Sequence, residues 1–295
     1  MRPAVRVTAP ATSANLGPGF DAFGLALGLH DVVEASLAGP AVNVTVEGTG
    51  ADELPRDESH LVVRAMVSAL EELGETRSPL QVHCRNSIPH GRGLGSSAAA
   101  IVTGVLAARA LVEGGEERMG DDAVLALAAR IEGHPDNVAP CLLGGFTIAW
   151  TSGSGARAVR LDVHPDICPV LCVPPVALST QAARGLLPAA VPLADAAGNA
   201  GRAALLVEAL TRRPDLLLDA TEDRLHQAYR EPSMPATLAM ITEMRSRGLP
   251  AVVSGAGPSV LVLATPDQVG RVSAPRDWET RPLPVADRGA IVETA

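Results

Sequence analysis

The 295-residue chain contains no lysine; all 24 of its basic side chains are arginine. That absence excludes a Schiff-base lysine, a lysine nucleophile and the phosphate-loop lysine of the Walker type. Any anion must therefore be held by arginine, by backbone N–H groups or by a metal. A GC-rich coding bias explains such arginine use more simply than a functional demand does. Aromatic residues are also scarce, at 2%: three Phe, two Trp and one Tyr. The core must then be built from Ala, Val and Leu. With a net charge of −9, the scarcity of rings argues against a nucleic-acid partner, which calls for a basic face and stacking side chains. Cys84, Cys141, Cys168 and Cys172 show no CxxC spacing, so a zinc site is not expected and reduced thiols in a cytoplasmic protein are. No run of about 18 apolar residues could cross a bilayer and no signal-peptide pattern opens the sequence, so no membrane partner is expected.

What is present suits one large domain or two moderate ones. Val5–Thr8 alternates and gives way to a turn-rich stretch, Ala9–Asp21. Short strand-like runs follow at Leu25–Leu29, Val32–Leu37 and Val42–Glu47. Ser59–Leu73 carries helical spacing with Gly74 as its stop. Leu80–Arg85 reads as a strand, Ser96 to about Glu113 as a helix of small residues, and Asp121–Ile131 as a second helix. Gly144–Trp150 resumes strand character before a polar break at Thr151–Gly155, where a domain boundary is expected, dividing the chain into 1–153 and 154–295. Strands at Ala158–Val163 and Cys168–Val173 precede helical segments at Ser179–Leu187, Leu193–Thr211, Leu216–Arg230 and Pro235–Arg247. Ala251–Leu263 reads as a strand interrupted by SGAGPS, and Gly289–Glu293 as a last strand. Strands and helices mix without regular βαβ alternation, which favours α+β.

The most informative segment is PHGRGLGSSAAA, Pro89–Ala100. Gly91, Gly93 and Gly95 stand between a predicted strand and a predicted helix. Glycines let the backbone approach an anion closely, and a helix N-terminus offers unpaired N–H groups and a positive dipole end. Together they make a phosphate cradle that needs no lysine. On the glycines alone, a turn capped by Ser96 is an equally good reading. The pattern is not a Rossmann fingerprint, because the third glycine is wrongly spaced.

PHGRGLGSSAAA resembles the phosphate loop of the GHMP kinase superfamily, P-x-x-x-G-L-G-S-S-A-A, at every fixed position. Three further segments narrow the resemblance to the homoserine kinase family: APATSANLGPGFDAFG (Ala9–Gly24), EGHPDNVAP (Glu132–Pro140) followed by Gly144, Gly145 and Phe146, and SGAGPS (Ser254–Ser259). The resemblance implies a ribosomal-S5-like N-terminal domain and a ferredoxin-like C-terminal domain. It implies ATP phosphates on Pro89, His90, Gly91, Arg92, Gly93, Leu94, Gly95, Ser96, Ser97, Ala98 and Ala99, and Mg²⁺ on Ser97 and Glu132. It also implies the L-homoserine carboxylate on Arg184 and Arg230, with Thr180 one helical turn before Arg184. Asn15, Asp21, Asp136 and Asn137 match positions lining the amino and hydroxyl end. Ser97, Glu132, Asp136, Asn137 and Thr180 are the residues implied in catalysis. Where mevalonate- or galactose-type relatives carry an aspartate base, this chain has Asn137, which can orient a hydroxyl but not take its proton. Asp21 or Asp136 remains open as a base. The segment Pro55–Leu61 is where relatives hold the adenine. The implied activity is ATP-dependent phosphorylation of homoserine on the route to threonine, with a homodimer left open. A GHMP kinase for another small alcohol, or a sensor that keeps the fold without catalysis, are the alternatives. The seven histidines lack metal spacing, and SGAGPS reads equally as a closing loop or as a bulge between strands.

Overall fold

A computed structural model describes residues 4–75, 79–153 and 155–294. The chain opens with β1 (Val5–Ala14), β2 (Phe23–Leu37) and β3 (Asn43–Gly48), followed by helix α1 (Leu61–Glu72) and β4 (Leu80–Asn86). Helices α2 (Ser96–Leu111), α3 (Gly115–Arg118), α4 (Asp121–Glu132) and α5 (Val138–Leu143) come next, then the hairpin β5 (Phe146–Ser152) and β6 (Gly155–Leu161). All these strands belong to one sheet, antiparallel except for the β3–β4 pair.

Two sequence expectations change here. β1 continues through Ala14 into the stretch read as turn-rich, because Ala11–Ala14 pair with Gly24–Leu27. The two runs at 25–29 and 32–37 are one strand, and the gap between them is a register shift opposite Pro10/Ala11 that skips Gly28 and Leu29. An extra residue or two in one partner is how a strand bends without ending.

The buried helix α2 explains how the chain manages with so few rings. Twelve of its residues are buried, most of them Ala, Val or Leu. A Cβ added at Gly104 would stand 2.6 Å from the Val62 carbonyl oxygen, so α1 and α2 approach at backbone distance. Small residues allow close packing without large side chains. Phe23 and Phe146 meet edge to face at 5.2 Å between β2 and β5.

The second half supplies β7 (Cys168–Val173), α6 (Thr180–Arg184), α7 (Leu193–Thr211), α8 (Leu217–Ala220), α9 (Pro235–Ser246), β8 (Ala251–Val253), β9 (Val260–Ala264), α10 (Pro266–Val269) and β10 (Glu279–Pro282). Four strands form an antiparallel sheet in the order β10-β7-β9-β8. A final strand, β11 (Ile291–Thr294), returns to pair with β1. Two mainly antiparallel sheets with intervening helices make this the α+β class expected from the sequence. A cut at 153/154 falls inside the β5–β6 hairpin, and β6 and β11 both belong to the first sheet; Ser154 itself lies outside the described residues. A helix over Leu216–Arg230 is also not what forms. After α8, the Asp223 carboxylate accepts the N–H groups of Leu225, His226 and Gln227, a local alternative to the helical ladder. The chain then enters a 3₁₀ helix, Ala228–Ser233.

Candidate active site

A cleft of about 380 Å³ lies between the two halves, within the range of small-molecule sites. Its walls include Asn15, Asp21, Pro89 to Ser97, Glu132, Asp136, Asn137, Thr180, Arg184 and Arg230. Nearly every site residue expected from the sequence therefore faces one space. Ala98 and Ala99 do not; both are fully buried at the start of α2, and the Ala99 N–H is already bonded to the Gly95 carbonyl.

The glycine loop is shaped by two close approaches. Gly93 has φ +71° and Gly95 has φ +67°. A Cβ on Gly93 would overlap the Ser254 carbonyl oxygen, and one on Gly95 would overlap Thr12 Oγ1. Gly95, not Ser96, is the N-cap of α2, and no side chain caps that end. The first-turn N–H groups are thus left for an anion at the cleft, with the dipole's positive end behind them. Arg92 lines the cleft but is committed elsewhere: its guanidinium donates to the carbonyls of His90, Pro174 and Pro175.

SGAGPS is a tied turn between β8 and β9 rather than slack backbone. The Ser254 hydroxyl donates to the Gly93 carbonyl (2.7 Å) and, its one hydrogen so used, accepts from the Ser13 hydroxyl (2.9 Å), and Ser254 N donates to the Ser259 carbonyl.

At the mouth of the loop, Ser97 Oγ donates to Glu132 Oε1 at 2.6 Å, joining the start of α2 to the end of α4. Burial raises the Glu132 carboxyl above its ordinary range, against the pull of the Ser97 hydroxyl. Two hard oxygens, one anionic, meet in a half-buried place. That donor set suits Mg²⁺, which takes few ligands from protein and completes its shell with water and phosphate. Among the described residues, no group of three or more His, Cys, Asp or Glu side chains is placed to hold a metal.

The other end of the cleft is charged. Arg184 makes a two-pronged pair with Asp21, at 2.7 and 3.0 Å. Arg230 is 2% exposed and, among the described residues, has no carboxylate partner: Nη1 donates to the Gly255 carbonyl and to His226 Nδ1, while Nε is buried without a partner there. Burial, and then the nearby Arg184 charge, pull the Arg230 guanidinium below its usual value. Both arginines lie over the Phe20 ring, at 5.8 and 5.7 Å. Two cations that repel each other and converge on one space define a place for an anion.

Asn15 and Asp21 sit at φ +69° and +56°. Asn15 holds that bend, accepting from Asp21 N and donating one amide N–H to the Gly255 carbonyl. It shapes the loop, and the carboxylate of Asp21 reaches the cleft. Asp136 is buried and bonded to His134 Nδ1 at 2.6 Å, which raises the His134 pKa. Thr12 Oγ1 donates to Asn137 Oδ1 at 2.8 Å, so the Asn137 amide NH₂ is the part left for a ligand. Thr180 opens α6 behind the N-cap Ser179, one turn before Arg184. Beyond the loop the cleft is bounded by Leu54, His60, Leu61 and Val62, in and beside the segment expected to face adenine.

Sequence reasoning missed Thr12, Phe20, Ser254 and His226. The i, i+4 spacing of His226 and Arg230 carried a usable signal, obscured by asking the histidines only about metal.

The sequence matches the family model described as GHMP kinases N terminal domain over residues 60–145, and that described as GHMP kinases C terminal over residues 200–275. It is 56% identical to a homoserine kinase of Streptomyces coelicolor over 98% of this chain and 94% of that protein. It is 49% identical to a homoserine kinase of Leifsonia xyli over 98% of this chain and 91% of the relative. The crystal structure of homoserine kinase from Cytophaga hutchinsonii superposes with a TM-score of 0.82 at 27% identity, covering 99% of this chain and 98% of that one. No helix of the described residues is long and apolar enough to cross a membrane. On the cleft, the fold and these near full-length likenesses, the chain belongs to the homoserine kinase family of the GHMP kinases.

Proposed function

We infer that this chain transfers the γ-phosphoryl group of ATP to the side-chain hydroxyl of L-homoserine, giving O-phospho-L-homoserine and ADP. The observation that carries the reading is the pairing of a lysine-free phosphate cradle with two convergent arginines and an acid in one cleft. The 56% identity to a homoserine kinase supports it independently.

Phosphoryl transfer asks a protein for alignment and charge neutralisation more than for covalent chemistry. The triphosphate lies along Gly93–Ser97, held by the free N–H groups at the head of α2. Ser97 and Glu132 would hold Mg²⁺, which when bound would neutralise phosphate charge. The homoserine carboxylate engages Arg230 and Arg184, whose planar forks match it. Asp21, released from Arg184, takes the substrate ammonium. The hydroxyl lies by Asn137, whose NH₂ donates to the attacking oxygen. As the new O–P bond forms and the β,γ-bridging bond breaks, an amide cannot accept the hydroxyl proton; it passes to an oxygen of the transferred phosphoryl group. Asp136 orients through its bond to His134, and Thr180 closes the α6 side of the pocket. The four cysteines are free and three are buried, which suits a cytoplasmic enzyme. The test is product identity: phosphorus NMR of a reaction with MgATP and homoserine should show a phosphomonoester coupled to the side-chain methylene. ATP hydrolysis without that ester would contradict the assignment.

A further inference from the structure

We propose that His226 is a positioning residue that holds Arg230 for the substrate carboxylate, and that it does so as a neutral imidazole protonated on Nε2. The inference rests on the cleft being a homoserine site. His226 is fully buried and lines none of the cleft itself. Its Nε2 lies 2.8 Å from the Gly17 carbonyl, which can only accept, so Nε2 carries the proton. Its Nδ1 lies 3.1 Å from Arg230 Nη1, which can only donate, so Nδ1 presents its lone pair. One tautomer satisfies both contacts, and it ties the loop carrying Asn15 and Asp21 to the 3₁₀ helix carrying Arg230.

The surroundings keep the ring in place. Phe20 stacks on it at 5.1 Å and 24°, with the guanidinium groups of Arg184 and Arg230 also over that phenyl ring. Asp223 approaches Nε2 only to 3.6 Å, and its oxygens are committed to three backbone N–H groups. Asp21 is the remaining charge felt at the ring, and it is paired with Arg184. With Nη1 clamped by His226 and the Gly255 carbonyl, the plane of the Arg230 guanidinium at the cleft is fixed. Without Nδ1 as an acceptor, the guanidinium is free to turn about its long side chain and that plane is lost.

Protonating His226 would set an N–H against the Arg230 N–H and bring two cations to 3.1 Å. Burial already holds this histidine below its ordinary 6.5. The carboxylate grip should therefore persist at neutral pH and weaken as acid protonates the ring.

The test compares L-homoserine with 3-aminopropan-1-ol, the same amino alcohol without its carboxylate, in wild type, His226→Leu and His226→Asn. Leucine removes the acceptor, while the Asn Oδ1 can stand where Nδ1 stood. H226L should raise the homoserine KM about tenfold or more, the worth of one hydrogen bond to a charged group. Its kcat and its ATP KM should stay near wild type, and its kcat/KM for 3-aminopropan-1-ol should not change. H226N should recover most of the homoserine KM. In wild type the homoserine KM should climb on the acid side of ordinary histidine titration, and H226N should lack that limb. If H226L does not fold, the wild-type and H226N pH series decides. Equal losses on both alcohols, no advantage of Asn over Leu, or an acid limb retained in H226N would overturn the proposal. Wild type inactive on homoserine would instead overturn the substrate reading beneath it.

Discussion

Arg184 and Arg230 are both assigned to one carboxylate, yet the structure predicts that removing them has unequal consequences. Arg184 is 39% exposed at its side chain and already holds Asp21 with two hydrogen bonds. Binding substrate there exchanges one carboxylate for another. A hydrogen bond to a charged group is worth about 1.5–3 kcal/mol, and the exposed Asp21 pair it replaces about 0.5 kcal/mol. The net loss in Arg184→Ala is then about 1–2.5 kcal/mol, or a homoserine KM raised about 5- to 70-fold. Arg230 is 2% exposed and has no acid to give up. Its desolvation is borne by the fold before substrate arrives, so the whole attraction is realised on binding. Removing one partner of such a buried charge pair costs about 3 kcal/mol or more, over about 100-fold in KM. Steady-state kinetics of the two alanine variants, with ATP saturating and Tm recorded alongside, reads the difference directly. Equal effects, a larger effect at Arg184, or a rise in ATP KM in place of homoserine KM would refute the exchange argument.

Other outcomes follow from the same geometry. Ser97→Ala and Glu132→Gln should each lower kcat at least about 100-fold while homoserine KM changes little, since alignment at the phosphates acts on the transition state; wild-type kcat in both would remove the assigned role. Gly93→Ala should lose about 2 kcal/mol or more of stability in urea unfolding, because the new Cβ collides with the Ser254 carbonyl at a φ of +71°; a wild-type midpoint would contradict the tight junction. Asp31, buried beneath the cleft and accepting from Ser87 and Ile88 N–H, has its pKa raised by burial from 3.8 to about 6. A folded-state value above the unfolded one means stability is fully present below about pH 4 and is lost as pH rises through about 6, by roughly 3 kcal/mol. Asp31→Asn keeps the acceptor, so it should flatten that slope and stabilise the protein at pH 7; an unchanged slope would place the titration elsewhere.

The glycine loop was legible because close backbone approach fixes residue type over a short stretch: Gly93 and Gly95 sit at positive φ where a Cβ would overlap Ser254 or Thr12, and Arg184 and Arg230, singled out by motif, do line the same cleft. The α+β class was legible for the same reason, from local periodicity. What escaped depended on distant contacts. The second part of β1, Ala9–Ala14, reads as turn until it pairs with β2. The segment 216–230 looks helical until Asp223 draws three N–H groups away from the ladder. Asn15 lines the cleft as expected, but its bond to Gly255, 240 residues away, is a long-range contact that no local pattern carries. The β5–β6 hairpin hides behind a polar break that marks a turn and not a boundary. Arg92 sits in the best motif of the chain, yet its charge serves the carbonyls of Pro174 and Pro175.

The most direct test of the central claim is a competition of alcohols. Purified protein with MgATP should be assayed for kcat/KM on L-homoserine, mevalonate, galactose and shikimate. The arrangement of Asp21, Arg184 and Arg230 predicts a preference for homoserine, the one zwitterion of the four, by several orders of magnitude. Turnover of any of the other three at a comparable kcat/KM, or none with homoserine, would contradict it.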